Sequence, residues 1–213
     1  TNPFKFGMAG GTDTHNGLVA AEEDNFFAKF PSAGPRPDRW DEDAMNFGPN
    51  RIVKGWEMTA AGYTGVWATG NTRAELWDAM MRRETYATSG PRITVRFFGG
   101  YDFTAADATR TPAVAGYAKG VPMGGDLPAA PAGKAPTFLV AALKDRFSGN
   151  LDRIQIIKGW LGKDGKPQEK IYDVVWGDKD RRTILNGKLT PVGNTVDVAS
   201  ATWTNTIGDP ELV

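Results

Sequence analysis

The sequence predicts an α/β region followed by an all-β region, and the two halves of the chain differ in pattern. Residues 1–90 contain two short apolar runs, a loop-rich stretch and one well-signalled helix. Residues 91–213 contain alternating apolar and polar segments separated by turn residues, which is typical of antiparallel strands. We therefore expect two domains with a boundary near residue 90, the second of them a β-sandwich.

The first region begins with a predicted strand. Residues 4–9, FKFGMA, have the composition of a short buried strand, and residues 64–68, TGVWA, form a second apolar run. Residues 30–50 contain four prolines and are expected to form a surface loop. Thr72 and Glu75 have the spacing of a capping box, which predicts that a helix begins there. The apolar stripe of this helix is expected to pack inside the protein; it comprises Leu76, Trp77, Met80, Met81 and Glu84.

Strands are predicted at four places in the second region. Alternation at Ile93, Val95 and Phe97 indicates the first, and residues 138–143 form a buried apolar run. Residues 151–160 and 170–176 flank a turn that contains Asp164 and Gly165, so they are expected to pair as a hairpin.

The remaining stretches of the second region contain more glycine and proline or end abruptly. Residues 104–136 are rich in alanine, glycine and proline and are expected to have little regular structure. The sequences FFGG at 97–100 and MGGD at 123–126 lack the lysine of a phosphate loop and are interpreted as turns. Val196 and Val198 have strand periodicity, but no closing element is evident after them. Because the first apolar run also begins almost at residue 1, we expect a fragment of a longer protein, truncated at the C-terminus of its β region.

Composition excludes several classes of function. Lysine plus arginine equals aspartate plus glutamate at 25 each, so a nucleic-acid or membrane partner is not expected. The sequence contains no apolar run of the roughly 20 residues that span a bilayer and no signal-peptide pattern, which predicts a soluble chain. Cysteine is absent, which excludes thiolate chemistry and is compatible with either the cytoplasm or the periplasm.

The motif with the clearest chemistry is GGTDTHNG, residues 10–17. Asp13 and His15 are separated by one residue, so on an extended backbone their side chains point the same way and can reach one cation. His15 is the only histidine in the chain. A second interpretation needs no metal: a glycine-rich strand end with an Asx turn and a helix-capping Asn16 has the same pattern. The acidic residues Glu22, Glu23, Asp24 and Glu57 are interpreted as solvated side chains rather than further ligands.

Three long stretches resemble the C-terminal part of a large bacterial family catalogued as a domain of unknown function. They begin FGMAGGTDTHNG, GYTGVWATGNTR and LDRIQIIKGWLG, and the resemblance covers nearly the whole chain. That family is similar to the PHP superfamily, named for polymerase and histidinol phosphatase domains. The resemblance implies a distorted (β/α)7 barrel whose closing elements would lie in residues 1–90, and a site that holds up to three divalent metals and hydrolyses phosphoesters.

The last ligand motif of the PHP superfamily is an Asp-x-His, and Asp13 and His15 match it. The resemblance therefore implies that these two residues bind divalent metal, with zinc, manganese or iron as the chemically reasonable ions. The earlier motifs of the superfamily, including an amino-terminal His-x-His, have no counterpart in residues 1–213. The missing N-terminal part of the same protein is therefore an expected partner, and the chain alone is expected to be inactive.

Tyr86, Ser89 and Arg92 are the candidate residues for binding an anionic small-molecule substrate. Their hydroxyls and guanidinium follow the predicted helix, although Ser89, Gly90 and Pro91 are interpreted more simply as a turn. Trp160 and Trp176 have the chemistry of a sugar platform, but their position within strands favours core packing.

The sequence therefore predicts part of a metal-dependent hydrolase in which activated water attacks a phosphoryl or similar ester. The alternative is a non-catalytic β-rich binding or structural module in which the Asp-x-His motif is a relic.

Overall fold

Antiparallel strand pairs make up most of the regular structure. The computed structural model describes residues 5–15, 30, 34, 36–58, 62–109 and 111–213. The chain divides into two compact units. Unit 1 comprises Thr1–Ile93 and Val121–Pro128, and unit 2 comprises Thr94–Gly120 and Ala129–Val213. The division into a hydrolase domain and a β domain at residue 90 stays a prediction.

The described residues of unit 1 form two short antiparallel strand pairs, one α-helix and one 3-10 helix. Its elements are β1 Asp43–Asn46, β2 Ile52–Lys54, a 3-10 helix Gly55–Glu57, β3 Thr64–Val66, α1 Arg73–Met81 and β4 Thr85–Ala87. β1 pairs with β2 and β3 pairs with β4, both antiparallel. The prediction of a simple surface loop over residues 30–50 is therefore wrong for β1, where the chain turns back through a bond from Phe47 N to Arg51 O of 2.9 Å.

The start of α1 is confirmed. Thr72 is its N-cap, and its hydroxyl accepts a hydrogen bond from the backbone N–H of Glu75. The Glu75 carboxylate accepts from the hydroxyls of Thr72 and Thr69, at 2.7 and 3.1 Å, rather than reaching the backbone of the cap as in a full capping box.

The predicted packing stripe of α1 is largely wrong. Trp77, Met80 and Met81 are 60%, 46% and 64% exposed. The helix instead buries the face that carries Ala79, which has no exposed surface. Of the other residues in the predicted stripe, Glu84 is buried and Leu76 is half-buried. Glu84 follows the helix, and its backbone hydrogen-bonds to Ala79 and Trp67. The spacing of the large apolar residues therefore did not predict which face of α1 is buried, since the buried face carries the small residue Ala79.

The predicted buried strand at residues 4–9 is also wrong. Residue 4 lies outside the described residues, and residues 5–9 are exposed and form no strand. Phe6 and Met8 are 55% and 58% exposed. This segment is held in place by two threonine hydroxyls instead of a strand ladder, as described below.

Unit 2 is built around one larger sheet. Its helices are a 3-10 helix Ala105–Ala108 and α2 Pro112–Lys119. Its strands are β5 Thr94–Gly100, β6 Gly120–Pro122, β7 Thr137–Leu143, β8 Arg153–Leu161, β9 Pro167–Trp176, β10 Ile184–Leu185, β11 Lys188–Leu189 and β12 Glu211–Leu212. The order of the larger sheet is β12-β7-β5-β6, with Gly120 as the part of β6 that belongs to unit 2. β8 pairs with β9 and β10 with β11 as separate hairpins.

The core of unit 2 lies between β5, β7, β12 and α2. Phe98 is 1% exposed, and Leu139, Ala142 and Leu212 are also buried. Gly116 of α2 lies against the Phe98 ring, so a larger residue there would clash with it. The strand predictions around residues 93–97 and 138–143 are confirmed. The predicted burial of the second run is only partly correct, because Leu139 and Ala142 are buried but Phe138 and Leu143 are exposed.

The expectation of little regular structure at residues 104–136 is wrong. The stretch contains the 3-10 helix, α2 and β6, and Pro112 begins α2 at the first helical position, where its missing N–H costs nothing. The turn at FFGG is wrong as well, since Gly99 and Gly100 lie in β5 opposite Phe138 and Thr137. The turn at MGGD is confirmed by a bond from Gly125 N to Pro122 O of 3.1 Å.

The β8–β9 hairpin is confirmed and runs from Arg153 opposite Trp176 to Leu161 opposite Pro167. Because Trp160 and Trp176 lie at opposite ends of the hairpin, they do not form a joint platform. Core packing is also wrong for Trp160, which is 38% exposed with the Lys158 ammonium 5.0 Å from its ring centre.

The C-terminal stretch contains a short strand, β12, that the sequence did not predict. Val196 and Val198 are 54% and 42% exposed and lie outside any strand, so the predicted strand there is wrong. β12 instead pairs with β7, with Leu212 opposite Ala142.

The antiparallel β character predicted for residues 91–213 is confirmed, whereas the described strands of residues 1–90, for which an α/β region was predicted, also pair antiparallel. None of the sheets formed by the described residues closes on itself, so no (β/α)7 barrel is visible there. The sandwich arrangement stays a prediction. None of the described helices combines the length and the apolarity that a membrane span requires.

Candidate functional site

The segment that leads to Asp13 is attached to the β3–β4 strand pair by side-chain hydroxyls. The Thr64 hydroxyl accepts from Gly10 N at 2.9 Å and donates to Gly10 O at 2.8 Å. The Thr85 hydroxyl donates to Met8 O at 2.8 Å. These bonds satisfy backbone groups that a strand ladder would otherwise pair, so the segment is anchored without being a strand.

Gly10 is required by the closeness of this contact. A Cβ at residue 10 would collide with the carbonyl group of Tyr63, lying 2.8 Å from its carbon. A Cβ at Gly11 would meet nothing within 4 Å. The chain therefore lies directly against the backbone before β3 at residue 10 and moves away from it at residue 11.

Exposed and half-buried side chains alternate from residue 11 to residue 15. Asp13 and His15 are exposed, whereas Thr12 and Thr14 are half-buried with their hydroxyl oxygens 3.4 Å apart. The backbone is not uniformly extended, because Asp13 has a φ of +48°. Aspartate tolerates this left-handed conformation better than most residues, and here it accompanies the convergence of Asp13 and His15.

The two candidate ligand atoms lie side by side. Asp13 Oδ1 and His15 Nε2 are 3.2 Å apart, with the side chains 66% and 51% exposed. Both side chains are thus open to solvent. The His15 ring also makes an edge contact with Phe30, with ring centres 5.0 Å apart, which restricts its orientation. The pair is thus accessible and oriented rather than part of the core.

This spacing is compatible with shared coordination. Two ligand atoms bound to one ion at about 2.1 Å are about 3.0 Å apart in an octahedral site and about 3.4 Å apart in a tetrahedral one. The observed separation lies between these values, and it is equally a normal hydrogen-bond length. Asp13 and His15 fit as two ligands of a divalent ion.

The pair has no third ligand among the residues that the structure describes. Among the described residues, no group of three or more histidine, aspartate and glutamate side chains could hold a metal. Glu57 instead accepts a bond of 2.7 Å from Lys54 N at the start of its own 3-10 helix. Residues 16–29, which include Asn16, Gly17, Glu22, Glu23 and Asp24, lie outside the described residues.

The candidate substrate residues lie on or after β4. Tyr86 lies opposite Gly65, and its ring covers the space that a larger residue there would fill. Ser89 is exposed in a bend, in agreement with the simpler interpretation as a turn. Arg92 places its guanidinium 5.0 Å from the centre of the Tyr63 ring. The substrate role of Tyr86, Ser89 and Arg92 therefore stays a prediction.

Two positioning residues escaped the sequence reasoning. Thr64 and Thr85 anchor the backbone before Asp13, yet they lie 54 and 77 residues from the groups that they bind. Threonine is common in short strands, so no local signal distinguishes these two.

Comparison with known proteins gives one match. The family model described as "Protein of unknown function (DUF3604)" matches residues 1–213. The comparison with curated proteins and the comparison with solved structures found no match.

Proposed function

The chain belongs to the DUF3604 family, and from this premise we propose that it supplies part of the metal site of a hydrolase, with Asp13 and His15 as two of the ligands. The observation that carries the proposal is the 3.2 Å separation of Asp13 Oδ1 and His15 Nε2 on an accessible segment. A divalent ion held there would supply Lewis-acid activation of water and of a phosphoryl or similar ester.

The residues around the pair have separate roles in this proposal. Thr64 and Thr85 hold the backbone, and Gly10 permits the close approach of the segment to the β3–β4 strand pair. Asp13 offers a carboxylate oxygen and His15 offers Nε2, while Thr12 and Thr14 occupy the opposite side. The chemistry is then divided between one anionic and one neutral ligand, which suits zinc, manganese or iron.

The remaining ligands must come from outside the described residues. Structural and catalytic sites for such ions normally use at least three protein ligands. In this proposal the Asp-x-His pair is equivalent to the last ligand motif of PHP-like enzymes, and a PHP-like barrel would be completed by strands outside the described residues. Tyr86, Ser89 and Arg92 would contact the anionic part of the substrate.

Metal content of single variants tests the proposal. Calorimetric titration of the 213-residue chain with Zn²⁺ or Mn²⁺ should detect weak binding, because two ligands leave most of the coordination sphere to water. Asp13→Ala and His15→Ala should abolish this binding, and in the full natural protein they should remove bound metal and hydrolysis of para-nitrophenyl phosphate. Thr14→Ala is the matched control and should retain both.

Equal metal retention in the three variants would overturn the proposal. If Asp13 is only a turn residue, Asp13→Ala should lower the free energy of unfolding by about 0.5–2 kcal/mol with metal content unchanged. That outcome would favour the non-catalytic β-rich module, which has one observation in its favour: no third ligand approaches the pair among the described residues.

A further inference from the structure

A second cleft, within unit 2, has a chemistry unlike that of the Asp13–His15 pair. It has a volume of about 350 Å³ and is lined by residues 148–150, 192–196, 203–205 and Ile207. None of these lining residues is charged, although 23% of the chain is. Its volume is at the lower end of the roughly 300–1,000 Å³ that is usual for small-molecule sites. The absence of charge from the walls favours a neutral ligand, because a charged one would lose hydration without gaining an ion partner.

The loop that forms one side of this neutral cleft is locked by its own side chains. The Thr195 hydroxyl donates to Thr204 O at 2.7 Å, and the backbones of Asp197 and Thr202 exchange two hydrogen bonds. The Asp197 carboxylate accepts from Ala199 N and Ser200 N. The opposite side is tied on by Asn150, whose backbone N–H bonds to Asn205 Oδ1 at 2.9 Å. A loop fixed in this way loses little conformational freedom when it binds a ligand.

Trp203 provides an open aromatic face. It lines the cleft and is 46% exposed. Two other tryptophan rings have a cationic or an aromatic neighbour, since the Lys158 ammonium lies over Trp160 and Trp67 packs against Tyr86. Among the described residues, the ring of Trp203 has neither an aromatic nor a cationic neighbour of this kind. An indole with a free face stacks on flat apolar surfaces, and its N–H needs a polar partner.

Polar groups of the cleft are also unused. Within the described part of the chain, the Asn194 side-chain amide donates to nothing, while its oxygen accepts from Val196 N at 2.9 Å. The Ser148 hydroxyl also has no partner there, since the bonds at this residue use its backbone. The ligand therefore meets an aromatic face, apolar side chains from Val192 and Ile207, and a few hydrogen-bonding groups.

We propose that this cleft binds a neutral pyranose sugar, as a mono- or disaccharide unit, with its apolar C–H face stacked on Trp203. A pyranose combines one apolar face with hydroxyls around its edge, which matches an indole flanked by an amide and a hydroxyl. The site is independent of the Asp13–His15 proposal, because it uses residues of unit 2 alone.

Indole N–H resonances test this inference. The 213-residue chain, labelled with ¹⁵N, is titrated with cellobiose, maltose and lactose and, separately, with glucuronate and glucosamine. We expect at least one neutral disaccharide to shift the Trp203 indole signal saturably, and both charged sugars to bind at least about tenfold more weakly. No shift of Trp203 with any neutral disaccharide would overturn the proposal, and so would equal affinity for the charged sugars.

Two variants and one control separate binding from folding. Trp203→Ala should abolish binding, whereas Trp160→Ala, at a tryptophan of similar exposure outside the cleft, should leave it unchanged. Asn194→Asp keeps the oxygen that accepts from Val196 N but removes the amide donor and adds a charge, so it should weaken binding at least about tenfold. Binding that survives Asn194→Asp, or survives Trp203→Ala in a folded protein, would contradict the proposal.

Discussion

Two segments without regular secondary structure carry the two candidate sites, and they differ in what they expose. Residues 10–15 expose a carboxylate and an imidazole. The segment is anchored by the hydroxyls of Thr64 in β3 and Thr85 in β4. Residues 192–207 contribute no charged side chain to their cleft and are anchored mainly by hydrogen bonds within the loop. The first favours a cation and the second a neutral polar molecule. Two loops that are both held by hydrogen bonds can therefore expose side chains that suit different ligands.

The largest loss of stability is expected at Arg182, a buried residue of unit 2 that precedes the loop of residues 192–207. Arg182 is 5% exposed and donates to the backbone oxygens of Asp152, Gly177 and Thr190, as well as to the Asp152 carboxylate. Arg182→Ala removes all of these hydrogen bonds, although Asp152 O keeps the bond from Gly177 N and the Asp152 carboxylate keeps its pair with Arg153. We expect the free energy of unfolding to fall by about 3 kcal/mol, measured by urea denaturation.

Arg181 is the matched control for Arg182. It is adjacent in sequence, its side chain is 66% exposed, and its ion pair with Asp178 lies at the surface. Arg181→Ala should hardly move the urea midpoint. If the two alanine variants were equally stable, residues 177–190 would not depend on a buried arginine.

A smaller effect is expected at the contact that positions Asp13. Gly10→Ala places a methyl group against the Tyr63 carbonyl and should cost about 1–3 kcal/mol of stability while displacing the Asp13–His15 pair. Gly11→Ala has open space and should be close to neutral. Thermal unfolding and the His15 ring resonances measure the two consequences. Similar results for the two alanine variants would contradict the close contact at residue 10.

The smallest effect is expected from pH and should distinguish the two segments. Hydrogen bonding by Ser200, through its side chain and then its backbone N–H, together with the N–H of Ala199, lowers the pKa of Asp197 below its usual value of 3.8. A lowered folded-state pKa means that this stabilisation is complete above pH 3.8 and is lost as the pH falls through the folded value. The Trp203 indole signal should therefore stay constant from neutral pH down to about pH 4 and change below it.

Asp197→Asn removes the titration while keeping an oxygen acceptor, so it should abolish this acid-induced change. Metal binding by Asp13 and His15 should behave differently, because protons compete with the metal for both ligands and binding weakens as the medium is acidified. If metal and sugar binding followed the same pH curve, the contrast between the two segments would be wrong.

Local signals in the sequence were enough for some elements. The Thr72 cap and the turn at Asp164 and Gly165 involve residues within a few positions of one another, and both α1 and the β8–β9 hairpin form where they were predicted. Proline misled at residue 112, because the same residue that breaks a helix in its interior starts one well.

Long-range contacts account for most of what the sequence could not predict. FKFGMA has the composition of a strand, but the hydroxyls of Thr64 and Thr85 hydrogen-bond to backbone groups that a strand ladder would pair. Gly99 and Gly100 suggested a turn, yet they belong to β5; at Gly100 a larger residue would lie 3.1 Å from Lys119 O. The Asp-x-His pair itself was predicted from its spacing, and the structure adds that Asp13 Oδ1 and His15 Nε2 lie 3.2 Å apart.

The central claim is that Asp13 and His15 bind one divalent ion together, and the single histidine allows a direct measurement. In a ¹⁵N-labelled chain, the two ring nitrogens of His15 give an unambiguous pair of signals, which can be followed as Zn²⁺ is added to saturation. Since Nε2 is the nitrogen that lies 3.2 Å from Asp13 Oδ1, we expect its signal to move to the range of metal-bound nitrogen, and Asp13→Ala to prevent the shift. Coordination through Nδ1, or a shift that is unchanged in Asp13→Ala, would contradict the claim.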